Sequence, residues 1–131
     1  MKIETAKVLV IDDDRVMRSY VGNLLNQLGI THVEEATNGQ QGLAVAGRFR
    51  PDMVLSDIHM SPMNGHDFVK GMRAHPIFEL RKTPIFFMSA DGSTGTFNES
   101  VQSGIRGYII KPPTKHVLRA KLEQVLLDCR H

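Results

Sequence analysis

Asp12, Asp13, Asp14, Asp57, Ser89 and Lys111 are the residues of this sequence best suited to chemistry, and each stands where a short apolar run stops. VLVI at 8–11 runs into the three aspartates, VL at 54–55 into Ser56-Asp57, IFFM at 85–88 into Ser89, and YII at 108–110 into Lys111. Brought together, the carboxylates would repel: two of them about 4 Å apart cost roughly 4 kcal/mol at an effective dielectric near 20. One ammonium cannot offset three such charges. A hard divalent cation can, and an all-oxygen site with few protein ligands and several waters suits Mg²⁺. A metal, a carboxylate nucleophile, a hydroxyl and a lysine form a set for phosphoryl transfer, which depends mostly on positioning and charge neutralisation. An aspartate can accept the group as an acyl phosphate. A nucleotide fits poorly, since the turn after residue 11 is anionic and the sequence has neither a GxGxxG nor a P-loop.

The elements between these residues must deliver them to one place. Val8 to Ile11 reads as a buried strand. Val16, Met17, Tyr20, Val21, Leu24, Leu25 and Leu28 recur at steps of three and four, which predicts a helix over about 14–28, with Gly29 at the position after its end. HVEEA at 32–36 is a weaker second strand. Asn38-Gly39 turns the chain into a helix carrying Leu43, Val45, Ala46 and Phe49, stopped by Pro51. Met53 to Leu55 make a third strand; Phe68, Val69 and Met72 mark a helix closing before Pro76; PIFFMS is the fourth strand. Phe97 and Val101 mark a thinly apolar helix among glycines. Tyr108 to Ile110 form the fifth strand, and a last helix spans 114–129.

Five strands alternating with five helices imply right-handed crossovers and an α/β, doubly wound parallel sheet. The flavodoxin-like order 2-1-3-4-5 is expected, with the functional crevice at the carboxyl ends of the strands. All the residues named above lie at that edge.

The remaining composition narrows the class. The 131 residues, 41% apolar and 23% charged, predict one ordinary globular domain. A single cysteine, Cys129, allows no internal disulfide and agrees with a reducing compartment such as the cytoplasm. The longest apolar runs are far short of the ~20 residues of a bilayer span, so no membrane partner is expected. A net charge of +2 comes from scattered basic residues, with no stripe of the kind that binds nucleic acid.

With VLVIDDD, VLSD at 54–57, Met60 with Gly65, IFFMSA and GYIIKPP in order, the sequence resembles a receiver domain of a bacterial two-component response regulator over its whole length. The resemblance implies that Asp57 is the phosphoacceptor. It implies that Asp13, Asp57 and the backbone carbonyl of His59 ligate Mg²⁺ directly, with Asp12 acting mostly through water. Ser89 and Lys111 would bond phosphoryl oxygens, and Tyr108 would change rotamer as Ser89 moves. A histidine kinase or histidine phosphotransfer protein would be the donor, and the output an effector outside residues 1–131, which are expected to be one receiver domain. Such a chain is a signalling phosphoacceptor and not an enzyme acting on other substrates. Contact with a second copy is left open. The Lys111-Pro112 bond is expected to be cis by the same resemblance. Two departures stand out: Ser61 occupies a place where the family usually has proline, with Pro62 one position later, and Pro113 follows the Lys-Pro pair. His59 and Asp91 match variable positions that tune phosphoryl lifetime in the family.

Simpler readings compete for some of these residues. Asp14 opening a helix is better explained as an N-cap than as a metal ligand. Asp12 and Asp13 could be first-turn acids favoured by the helix dipole. VLVIDDDRV also fits a haloacid-dehalogenase-type phosphatase, with Asp12 as nucleophile and Asp14 as general acid and base. That class needs an acidic pair after the lysine, and beyond Lys111 only Glu123 and Asp128 remain, both inside the last helix. The other histidines lack paired ligand spacing, which argues against zinc.

Overall fold

The computed structural model describes residues 2–90 and 104–128. Five parallel strands, β1 (Lys7–Ile11), β2 (His32–Ala36), β3 (Met53–Asp57), β4 (Ile85–Ser89) and β5 (Gly107–Ile110), form one sheet in the order β2-β1-β3-β4-β5. Four helices are described: α1 (Arg15–Gln27), α2 (Gly39–Phe49), α3 (Gly65–Arg73) and α4 (Lys115–Asp128). The helix expected around Phe97 and Val101 lies outside the described residues, as do Asp91 and Cys129.

The central strands β1, β3 and β4 are apolar on both faces because both faces are covered. Val8, Val10, Met53, Leu55, Phe86, Met88 and Ile109 pack with Val21 and Leu25 of α1 and Leu118, Leu122 and Val125 of α4. The alternate residues Leu9, Ile11, Val54, Ile85 and Phe87 pack with Val45 and Ala46 of α2 and Phe68, Val69 and Met72 of α3. This two-residue alternation is what a doubly wound sheet requires of its strands.

Side-chain caps set the starts of the first three helices. Asp14, Asn38 and Asn64 accept hydrogen bonds from the backbone amides of Val16, Gln41 and Asp67, which satisfies amides that have no intrahelical partner. Gly29, at φ 92°, ends the first connection in the left-handed region, where glycine carries little penalty. The apolar stripe expected on α1 is narrower than its spacing suggested. Val21 and Leu25 are fully buried, but Val16, in the first turn, is 76% exposed. Lys111-Pro112 is cis, and so is Ser61-Pro62.

Candidate metal and phosphoryl site

The parallel register brings the predicted residues to one edge. Ile11 pairs with Ser56, Asp57 with Met88, and Ser89 with Ile110, so Asp12, Asp57, Ser89 and Lys111 emerge from neighbouring strand ends. Asp12, Asp13 and Asp57 each offer a carboxylate oxygen within 4.8 Å of the others. Lys111 Nζ lies 2.9 Å from Asp12 Oδ2 and 3.2 Å from Asp57 Oδ1. Asp13 is exposed, Asp57 half-buried and Asp12 fully buried.

Asp12 is fixed at several atoms. Its amide donates to the Ala36 carbonyl (3.0 Å), and its Oδ1 accepts from the Asp14 amide (2.9 Å). Its Oδ2 is held in an ion pair with the Lys111 ammonium at 2.9 Å, at an angle that falls short of a well-directed hydrogen bond. The ammonium offsets part of the cost of burying that charge. Burial pushes the Asp12 carboxyl above its ordinary range, and the negative charge of Asp57 adds to this, against the Asp14 amide and the Lys111 ammonium. Burial would lower the Lys111 ammonium, but hydrogen bonding to Asp12 and the charges of Asp12 and Asp57 outweigh it and raise it. Three carboxylates grouped within 4.8 Å of one another, with one ammonium among them, offer the hard oxygen donors that a small divalent cation prefers.

Asp57 is oriented from below. Its Oδ1 accepts from the Ile58 amide at 2.8 Å, and its carbonyl from the buried Ser56 hydroxyl at 2.8 Å. Behind it, the Gly65 amide bonds the Ile58 carbonyl (2.8 Å). A Cβ on Gly65 would stand 2.6 Å from the Asp57 carbonyl oxygen and 3.0 Å from Ile58 Cα. The glycine therefore lets α3 start directly under the loop that carries Asp57.

Asp14 is placed outside the cluster, its carboxylate capping α1. That use of Asp14, together with the inclusion of Asp57, goes against the phosphatase reading. Ser89 is half-buried at the end of β4, and its carbonyl accepts from the Lys111 amide (2.8 Å). Tyr108 packs edge-on to Phe87, with ring centroids 6.0 Å apart. The His59 side chain faces solvent. Sequence reasoning missed Arg18, whose Nη1 donates to the Asp12 carbonyl (2.7 Å) and whose Nε donates to Glu35 (3.0 Å). The available signal was the acidic end of HVEEA beside an arginine one turn into α1.

Comparison with known proteins agrees with this geometry. The family described as the response regulator receiver domain matches residues 8–123. The chemotaxis protein CheY-3 of Vibrio cholerae is 35% identical over 91% of this chain and 90% of its own length. A Campylobacter jejuni chemotaxis protein CheY homolog is 36% identical over 92% of each. The solved structure of CheY4 from Vibrio cholerae superimposes with a TM-score of 0.82 at 33% identity, covering 92% of this chain and 98% of that one. The receiver domain of a Pseudomonas aeruginosa PAO1 sensor histidine kinase, solved with a magnesium ion coordinated in its active-site cleft, gives a TM-score of 0.80 at 25% identity over 91% and 95% of the two chains. Sheet order, acidic edge and sequence similarity along nearly all of the chain converge, and the chain belongs to the response regulator receiver domains of two-component signalling.

Proposed function

We propose that the chain is an Mg²⁺-dependent phosphoacceptor in which Asp57 takes a phosphoryl group from a phosphohistidine on a histidine kinase or phosphotransfer protein. The observation that carries this reading is the grouping of Asp12, Asp13 and Asp57 within 4.8 Å of one another, with Lys111 Nζ 3.2 Å from Asp57 Oδ1. In the transfer, an oxygen of Asp57 forms a bond to phosphorus as the phosphorus–nitrogen bond of the donor imidazole breaks. The electron pair of that bond stays on the imidazole, which is then neutral or takes up a proton from solvent.

Asp13, Asp57 and the His59 carbonyl would hold Mg²⁺ directly, and Asp12 would act mainly through water. When bound, the ion supplies positive charge to phosphoryl oxygens as negative charge gathers on them. The amide of Ile58 orients the Asp57 carboxylate for attack. Lys111, held against Asp12 and Asp57 in the resting site, moves its ammonium onto a phosphoryl oxygen, and the Ser89 hydroxyl bonds another. Tyr108 then turns with Ser89 and alters the face read by a downstream effector. Incubation with Mg²⁺ and acetyl phosphate, followed by mass spectrometry, tests the reading. Wild type should gain one phosphoryl group, whereas Asp57→Ala, or wild type with EDTA, should gain none. Labelling of Asp57→Ala would overturn it.

A further inference from the structure

The acidic loop is clamped from its outer side by a pair of residues that the phosphoacceptor reading does not use. Arg18, one turn into α1, reaches across to β2. Its Nη1 donates to the Asp12 carbonyl at 2.7 Å, and its Nε donates to Glu35 Oε1 at 3.0 Å. The Arg18 side chain is only 14% exposed, while that of Glu35 is 52% exposed. Glu35 itself stands opposite Val10 in the β1–β2 register, one residue before Ala36, whose carbonyl receives the Asp12 amide. Both backbone groups of Asp12 are thus tied to the edge of β2, the carbonyl through the guanidinium. A planar guanidinium can hold a carbonyl and a carboxylate at fixed relative angles, which an ammonium cannot do.

We propose that Arg18, braced by Glu35, is a positioning residue that fixes the Asp12 main chain and so sets the affinity of the acidic cluster for Mg²⁺. This inference rests on the metal reading of the site. Groups that orient ligands from behind typically matter about 10- to 100-fold in metal affinity. The Arg48–Glu34 pair, which likewise joins a helix to β2 but is exposed, has no hydrogen bond or ion pair to a site residue among the described residues and serves as the control.

The test titrates Mg²⁺ alone into the full chain by calorimetry, for wild type, Arg18→Met, Arg18→Lys, Glu35→Gln and Arg48→Met. Amide hydrogen exchange at Asp12 and Asp14 is followed in EDTA. The expected result is a loss of at least about 10-fold in affinity for Arg18→Met, a smaller loss for Arg18→Lys and Glu35→Gln, and none for Arg48→Met. Exchange at Asp12 and Asp14 should accelerate in Arg18→Met more than exchange at buried β3 amides, which a general loss of stability would not produce. Wild-type affinity in Arg18→Met overturns the inference alone. Affinity lost in step with global stability, and equally in Arg48→Met, also overturns it. If wild type itself binds no Mg²⁺, the metal reading falls and the inference with it. Should Arg18→Met not fold, Arg18→Lys and Glu35→Gln decide by the same criteria.

Discussion

At Asp12 two requirements compete. A carboxylate there would supply negative charge to the proposed cation site, but the residue is fully buried, and burial raises its pKa above the ordinary value of 3.8. A carboxyl whose folded pKa is raised binds its proton more tightly in the native state. Its contribution to stability is therefore complete below the unfolded value and is lost as pH rises through the folded one. In EDTA, Asp12→Asn should accordingly be more stable than wild type at neutral pH by about 1 kcal/mol, since sites built for function often sacrifice stability. The amide oxygen can still accept from the Asp14 backbone. The difference should shrink as pH falls toward the ordinary carboxylate range, where wild type becomes protonated. Denaturant melts at several pH values measure it. An Asn variant less stable than wild type at neutral pH would show that the ion pair with Lys111 outweighs the burial of the charge.

Among the elements, α1 shows which part of the site was legible in the sequence. Of the three aspartates after VLVI, Asp14 reads as an N-cap from its place before the helix, whereas Asp12 and Asp13 could have been metal ligands or ordinary first-turn acids. Cap chemistry separates them, because Asp14 bonds the Val16 amide and stays outside the cluster that holds Asp12 and Asp13. Asp14→Ala should lose about 1 kcal/mol of stability with no change in Mg²⁺ affinity, whereas Asp13→Asn should lose affinity with little change in stability. Paired melts and titrations distinguish the two. Four of the strands were readable because each is a short apolar run stopped by a polar residue, β2 (HVEEA) was the weak one, and the parallel order followed from strict alternation with helices. The rest was not readable, for physical reasons. Val16 fits the helical period yet is 76% exposed, because periodicity fixes a face and not which of its turns meets a packing partner. Arg18 lies at the margin of the buried stripe of its helix, three residues before Val21, and helical period alone does not show that its guanidinium meets the Asp12 carbonyl across the fold. The need for glycine at residue 65 depends on the approach of α3 to the Asp57 carbonyl, which is a contact between elements.

For the whole molecule, the decisive quantity is the charge collected at one edge of the sheet. Three carboxylates and one ammonium carry a formal charge of −2, on a chain whose overall formal charge is +2. The fold concentrates negative charge where the strands end and holds it there by packing both faces of the sheet. A divalent cation held there would cancel that local charge and would bind only the folded chain, because residues 12, 13 and 57 meet only after β1 and β3 pair. Binding confined to the native state adds about 2.7 kcal/mol at a ligand concentration one hundred times the dissociation constant. For a domain of this length that corresponds to a rise in Tm of roughly 10 °C. Saturating Mg²⁺ should therefore raise the melting temperature of wild type, EDTA should return it, and Asp13→Asn and Asp57→Asn should respond much less. NaCl at matched ionic strength separates coordination from screening: exposed charges are screened by any salt, whereas a coordinated ion is specific. If NaCl raised the Tm as far as Mg²⁺ does, the acidic edge would be a diffuse field and not a binding site.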